Sequence, residues 1–148
     1  MKIADELLIL TREHHMLLSL ANKCVNTAKS NNASNVKDLC LQISKTFKST
    51  FSENFETEEL TIFMPLKHKS GSLFKLCNQL IDEHQQLYQL AQDLPNHPEC
   101  LLAFGNLLKS HSRLEDRQLF PKIDLLSNSE KLAIIKLSSC HTSPMLKI

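Results

Sequence analysis

The sequence predicts an all-α protein, an up-down-up-down four-helix bundle with a short fifth helix after it. Two observations lead there. Four stretches repeat apolar residues at steps of three and four, the spacing that lines one face of an α-helix. Gly and Pro, 2 and 5 of 148 residues, are too few to punctuate a sheet-forming chain. Short polar or Pro-containing breaks separate the stretches, so successive helices should pack as antiparallel neighbours.

In the first helix the seam is Ile3, Leu7, Leu10, His14, Leu17, Ala21, Cys24 and Ala28, and Asn31, Asn32 and Ser34 break it. The pattern resumes with Val36, Cys40, Ile43, Phe47, Phe51, Asn54, Glu58 and Ile62. Several Ser and Thr lower helix propensity there, and the periodicity outweighs them. Pro65 falls near the end, and Gly71, between Ser70 and Ser72, is expected to close the segment. The third helix runs from about Leu73 through Cys77, Leu80, His84, Leu87, Ala91 and Leu94, until Pro95 and Pro98 force a turn. A fourth covers about Glu99 to Phe120 and ends at Pro121. Ser127 to Glu130 reads as a capping box ahead of the fifth helix, about 128–139, with Leu132, Ile134, Ile135 and Leu137. The expectation is one domain over 1–148: a bundle at about 2–121, the extra helix, and a loose tail holding Pro144.

With 42% hydrophobic and 22% charged residues, the composition is that of a soluble globular domain. A net charge of +1 gives no electrostatic case for nucleic acid or an anionic membrane. The small basic cluster Lys67, His68 and Lys69 reads as decoration of a helix end. No apolar run reaches membrane-spanning length and the N-terminus lacks a signal-peptide pattern, so a cytoplasmic location is expected. Five scattered cysteines with no Cys-x-x-Cys pair argue against a disulfide framework, a zinc ribbon or a redox dithiol. Cys24, Cys40 and Cys77 read as small buried hydrophobes, and Cys140 as an exposed thiol without a role.

Apolar side chains alone would fill the seams, yet His14, Asn54, Glu58, His84, His111 and Glu115 all lie on them. His111 and Glu115 leave one helix face a turn apart, among Phe104, Leu107, Leu108 and Leu114. Burying an imidazole with a carboxylate costs several kcal/mol unless they are paired, hydrogen-bonded or metal-bound. An internal repeat multiplies this signal. REHHMLLSLANKC from Arg12 aligns with DEHQQLYQLAQDL from Asp82 at an offset of 70, setting His14 on His84. FKSTFSENFETEELTIF from Phe47 aligns with FGNLLKSHSRLEDRQLF from Phe104 at an offset of 57. Asn54 then falls on His111, Glu58 on Glu115, Glu59 on Asp116 and Phe63 on Phe120, while Met64-Pro65 against Pro121 needs a one-residue insertion. Two helical hairpins of one design, packed about a pseudo-two-fold axis, would bring the six polar side chains to one level.

This pattern resembles the hemerythrin-like, His-His-Glu cation-binding family, with Glu-His on the first and third helices and H-x-x-x-E-E-x-x-L-F-P on the second and fourth. The match runs from about Arg12 to Pro121 and is most specific at HSRLEDRQLFP. It implies a bundle holding a non-haem di-iron centre bridged by two Glu and an oxo or hydroxo group. Members serve in oxygen binding, oxygen or redox sensing, nitric-oxide defence and repair of iron–sulfur clusters. Two positions depart from the pattern. Asn54 stands where the family has His, and its amide oxygen is a poorer ligand for iron. Leu80 stands four residues before His84, where the oxygen carriers have a second His, which argues against reversible oxygen carriage.

The expected metal ligands are His14, Glu58, His84, His111 and Glu115, with His15 the competitor to His14. His84, His111, Glu58 and Glu115 should hold the better-occupied position and His14 a weaker second one. Glu13 and Glu83 face outward by helical angle, and Tyr88 reads as a half-buried core aromatic. His68, His97 and His141 read as surface histidines, and Phe63 and Phe120 as closing the bundle ends. The expected function is a small soluble metal-binding protein with one or two iron ions, in oxygen, nitric-oxide or redox sensing or handling. Zinc and manganese suit the same ligand types. No catalytic turnover is evident, and the sequence leaves any protein partner open. The rival, motivated by Asn54, is an interaction or regulatory module whose centre keeps one metal or none.

Overall fold

The computed structural model describes residues 4–141; Ile3 and the tail with Pro144 lie outside them. A 3-10 turn, Asp5–Leu7, leads into α1 (Leu8–Lys29). Then comes α2 (Ala33–Glu58), continued by a π-helical turn, Glu59–Phe63, and a last α turn, Met64–Leu66. α3 spans Gly71–Asp93, and a 3-10 turn at Pro98–Cys100 opens α4 (Leu101–Leu114). A second π turn, Glu115–Leu119, and a 3-10 segment, Phe120–Leu125, extend α4 before α5 (Asn128–Ser138). Among the described residues there is no strand, and no helix is long and apolar enough to cross a membrane.

Local chemistry sets most of these boundaries. Asn31 takes a left-handed φ of 57° after α1, a conformation Asn tolerates better than most residues. The Asn32 side chain then accepts the Asn35 N–H to cap α2. Ser127 and Glu130 form the expected capping box. Gly71 differs from expectation. It opens α3 instead of closing the segment before it, because the Ser70 hydroxyl accepts the Leu73 N–H at 3.1 Å and, as the N-cap, makes Gly71 the first helical residue.

Pro65 and Pro121 also act differently from simple stops. Each follows a widened turn in which the residue just before it, Met64 or Phe120, donates its N–H five residues back, to Glu59 or Glu115. Proline lacks an N–H and its ring crowds the carbonyl four residues earlier, and the wider turn relieves both problems. Beyond Pro121 the chain stays helical as far as Leu125. The prolines are 56 residues apart, as are the two π turns, while the seam residues repeat at 57. The one-residue slip in the repeat therefore follows the prolines.

α1 packs along α4 and α2 along α3, and α5 lies across α2 and the N-terminal turn. The approach of α1 to α4 is very close at Gly105, where an added Cβ would sit 2.9 Å from Cys24 Cβ and 3.1 Å from the Ala21 carbonyl oxygen. The repeat places Lys48 opposite Gly105, and its ammonium rides over the Tyr88 ring.

Apolar side chains form two separate buried clusters. One is built from Leu17, Cys24, Phe47, Phe51, Phe55, Leu87, Phe104 and their neighbours. The other is built from Leu7, Leu10, Ile62, Phe63, Leu80, Leu119 and Phe120 with theirs. Along every bundle helix the polar seam residue falls between them: His14, Glu58, His84, and His111 with Glu115. The fold thus sandwiches one polar layer between two apolar ones.

Candidate metal centre

His14, Glu58, His84, His111 and Glu115 are each 0% exposed, and Asn54 is 1% exposed. Glu58, His84, His111 and Glu115 each offer a ligand atom within 4.8 Å of the other three. His84 Nε2 lies 3.2 Å from Glu58 Oε1, and His111 Nε2 lies 3.0 Å from Glu115 Oε1. Neither pair has hydrogen-bond alignment, so all four atoms, and Glu115 Oε2 with them, are buried without a partner. Such groups are costly unless something else satisfies them. Imidazole nitrogens and carboxylate oxygens together are a donor set that fits a divalent metal.

His14 approaches from the other side. Its Nε2 is 2.7 Å from Glu58 Oε2 and 3.4 Å from Glu115 Oε1. Glu58 therefore spans from His84 to His14 with its two oxygens, and Glu115 Oε1 faces both His111 and His14. His15, the alternative, is exposed.

Around this layer lies a set of carboxylates, two of which, Glu13 and Glu83, helical angle alone set facing outward. His84 Nδ1 pairs with Glu59 Oε2 at 2.6 Å, His111 Nδ1 with Glu83 Oε1 at 2.8 Å, and His14 Nδ1 with Asp116 Oδ1 at 3.1 Å. Asn54 Nδ2 donates to Glu13 Oε1 at 2.9 Å. Glu13 and Glu83 thus reach across to neighbouring helices instead of facing outward. An Nδ1–H given to a carboxylate fixes the tautomer that leaves Nε2 as the ligand nitrogen.

These contacts obey the sequence repeat. His84–Glu59 maps onto His14–Asp116, and His111–Glu83 maps onto Asn54–Glu13. Ring packing obeys it too. Phe63 stacks on His84 at 5.5 Å and Phe120 on His14 at 5.1 Å between centroids. Those two phenylalanines therefore wall the imidazoles and do more than close the bundle. Phe55 stacks flat on His84 at 3.9 Å, and its repeat counterpart is Ser112.

His141 is a second correction. Expected at the surface, its side chain is 8% exposed, with Nδ1 2.7 Å from Glu13 Oε2 and Nε2 2.6 Å from Thr57 Oγ1. Nothing in the sequence signals a contact spanning 128 residues. His68 and His97 are exposed, as expected, and Tyr88 is half-buried against Phe47 and Phe55. All five cysteines are free, with Cys24, Cys40 and Cys77 buried and Cys140 exposed.

The charges in the layer shift one another. Burial opposes a charged His111, but the Glu115 carboxylate and the contact with Glu83 outweigh it and raise the imidazole to about 10. Burial likewise opposes a charged His14, and Glu115, Asp116 and Glu58 together hold it well above its ordinary value. Burial pushes Glu58 up, but His14 and His84 more than reverse this and hold it far below the usual carboxylate range. Glu115 is raised by burial and by the nearby Glu58 charge.

No curated protein and no solved structure matches this sequence. The hemerythrin HHE cation binding domain does match, over residues 6–123, a span that takes in every residue of the buried layer. With two Glu-His helices, two carboxylate helices and a buried cluster of donors between them, the chain belongs to the hemerythrin HHE cation-binding family.

Proposed function

We propose that this chain carries a non-haem iron centre of one or two ions in an up-down-up-down bundle in the cytoplasm. The centre handles or senses a small diatomic ligand, oxygen or nitric oxide, or a change of redox state. The observation that carries this reading is the buried set Glu58, His84, His111 and Glu115, with ligand atoms inside 4.8 Å and both imidazoles oriented by outer carboxylates. Iron is favoured over zinc because Glu58 and Glu115 each lie between histidines on two sides, where carboxylates can bridge two ions and follow a change of valence. Bound iron supplies the redox and ligand-binding chemistry. The chain orients the rings through Glu59, Glu83 and Asp116, and excludes bulk water with two apolar clusters. Leu80, buried in the apolar cluster with Leu10, Phe63 and Phe120, supports sensing or handling over reversible carriage.

The test is metal analysis of protein purified without added iron, with absorption spectra recorded under argon, then with oxygen or nitric oxide. Iron at one or two per chain with ligand-dependent bands is the expected result. Protein from iron-replete cells that holds no iron would overturn the reading and favour the rival interaction or regulatory module.

A further inference from the structure

The pseudo-two-fold repeat makes the two halves of the layer directly comparable, and they differ in chemistry. One half holds His84 and His111, with Phe55 stacked on His84. In the other half the matching positions are His14, Asn54 and Ser112. Asn54 keeps half of what His111 does. Its Nδ2 donates to Glu13 as His111 Nδ1 donates to Glu83. The carboxylate can only accept, so the amide must present Nδ2 to it. Oδ1, the other end of the amide, is buried with no hydrogen-bond partner, as is His111 Nε2 at the matching position. Ser112, 0% exposed, also has a buried hydroxyl without a partner where the other half has a phenyl ring.

We propose that the half-layer around His14 is an oxygen-rich cation position in which Asn54 Oδ1 is a ligand, with His14 Nε2, Glu58 Oε2 and Glu115. It selects a hard divalent cation of the manganese or magnesium class, and the centre is built for two unlike metals. The inference rests on the metal-binding reading above. Carbonyl, carboxylate and water ligands suit manganese and magnesium, whereas imidazole suits iron and zinc. An amide oxygen also reaches less far from its backbone than imidazole Nε2. That leaves space for a water ligand, which hard cations retain readily.

The test uses the full chain stripped of metal, loaded with one equivalent of zinc to fill the two-imidazole position, then titrated with manganese. Free manganese is followed by its six-line electron paramagnetic resonance signal, and folding by circular dichroism. Zinc-loaded wild type should take up one manganese per chain. Asn54→Ala should take up none over the same range. Asn54→His, which restores an imidazole, should let a second zinc displace the manganese, shifting the competition by about tenfold or more. If zinc-loaded wild type binds no manganese, or Asn54→Ala binds it equally well, the oxygen-rich position is refuted while the first site stands. Failure of even the first zinc equivalent to bind would overturn the underlying metal-centre reading along with it.

Discussion

The outer carboxylates are graded in a way that a titration can read. Glu59, Glu83 and Asp116 each hold one imidazole by Nδ1, but at 2.6, 2.8 and 3.1 Å. Their side chains are 29%, 12% and 40% exposed. Glu83 is further fixed by Gln79, whose Nε2 donates to it at 3.0 Å. Losing such an outer partner costs about 10–100-fold in metal affinity, while exposure screens a charge contact and shrinks its worth. Glu83→Ala and Glu59→Ala should therefore cost about a hundredfold in metal affinity, and Asp116→Ala, acting on His14, about tenfold. Zinc competition against a fluorescent chelator at neutral pH measures this, with His111→Ala as the upper limit and circular dichroism to verify folding. If Asp116→Ala cost as much as Glu83→Ala, carboxylate contacts would not be what orients the rings. Stacking by Phe55, Phe63 and Phe120 would then be the cause.

The metal-free protein should have an inverted pH response. His111 and His14 are raised in the fold, so their contribution is fully present below about 6.5, the unfolded value, and is lost as pH climbs through the folded values, about 10 for His111. Glu58 is depressed, so its contribution holds above about 4.3 and disappears as pH falls. Melting temperature without metal should peak between those limits and decline towards pH 9, while added metal, which must displace the same protons, should stabilise more as pH rises. A metal-free melting temperature that climbs from pH 6.5 to 9 would contradict the charge balance described above. Gly105→Ala should lower the denaturation midpoint. The new methyl meets Cys24 and a backbone carbonyl that cannot retreat, an overpacking cost of about 1–3 kcal/mol against a propensity gain of about 1 kcal/mol. An unchanged or raised midpoint in urea would mean that α1 and α4 can part without loss.

Much of this centre was legible because a helix repeats every 3.6 residues and the polar residues kept that period. The periodicity placed His14, Glu58, His84, His111 and Glu115 inward, and all five are buried. What it could not place is the ring of partners around them. Glu83 sits one residue before His84, about 100° away on the helix, where it faces the seam between two helices. A flexible Glu there reaches whichever neighbour is closest, and that is His111 of α4. Angle on one helix carries no information about the rotation of the next. The π turns were hidden for a related reason: Pro65 and Pro121 signal a disturbance, but whether the chain stops or widens depends on the packing beyond. His141 gave no signal at all, since its contacts with Glu13 and Thr57 arise only once α5 has folded back across α2.

The comparison of halves also says why Asn54 is compatible with the fold. Glu13 is held on both oxygens, by Asn54 Nδ2 and by His141 Nδ1. Glu83, its counterpart, is held by His111 and by Gln79 from its own helix. So the half that gave up a bundle imidazole has another one from outside the bundle, bound to the same carboxylate. His141 cannot replace the lost donor, because its nitrogens are engaged by Glu13 and Thr57. It keeps Glu13 in place, and Glu13 in turn fixes which way the Asn54 amide points. The orientation of one buried oxygen therefore depends on a residue beyond the bundle. The asymmetry is carried by a connected network, not by the single exchange of His for Asn.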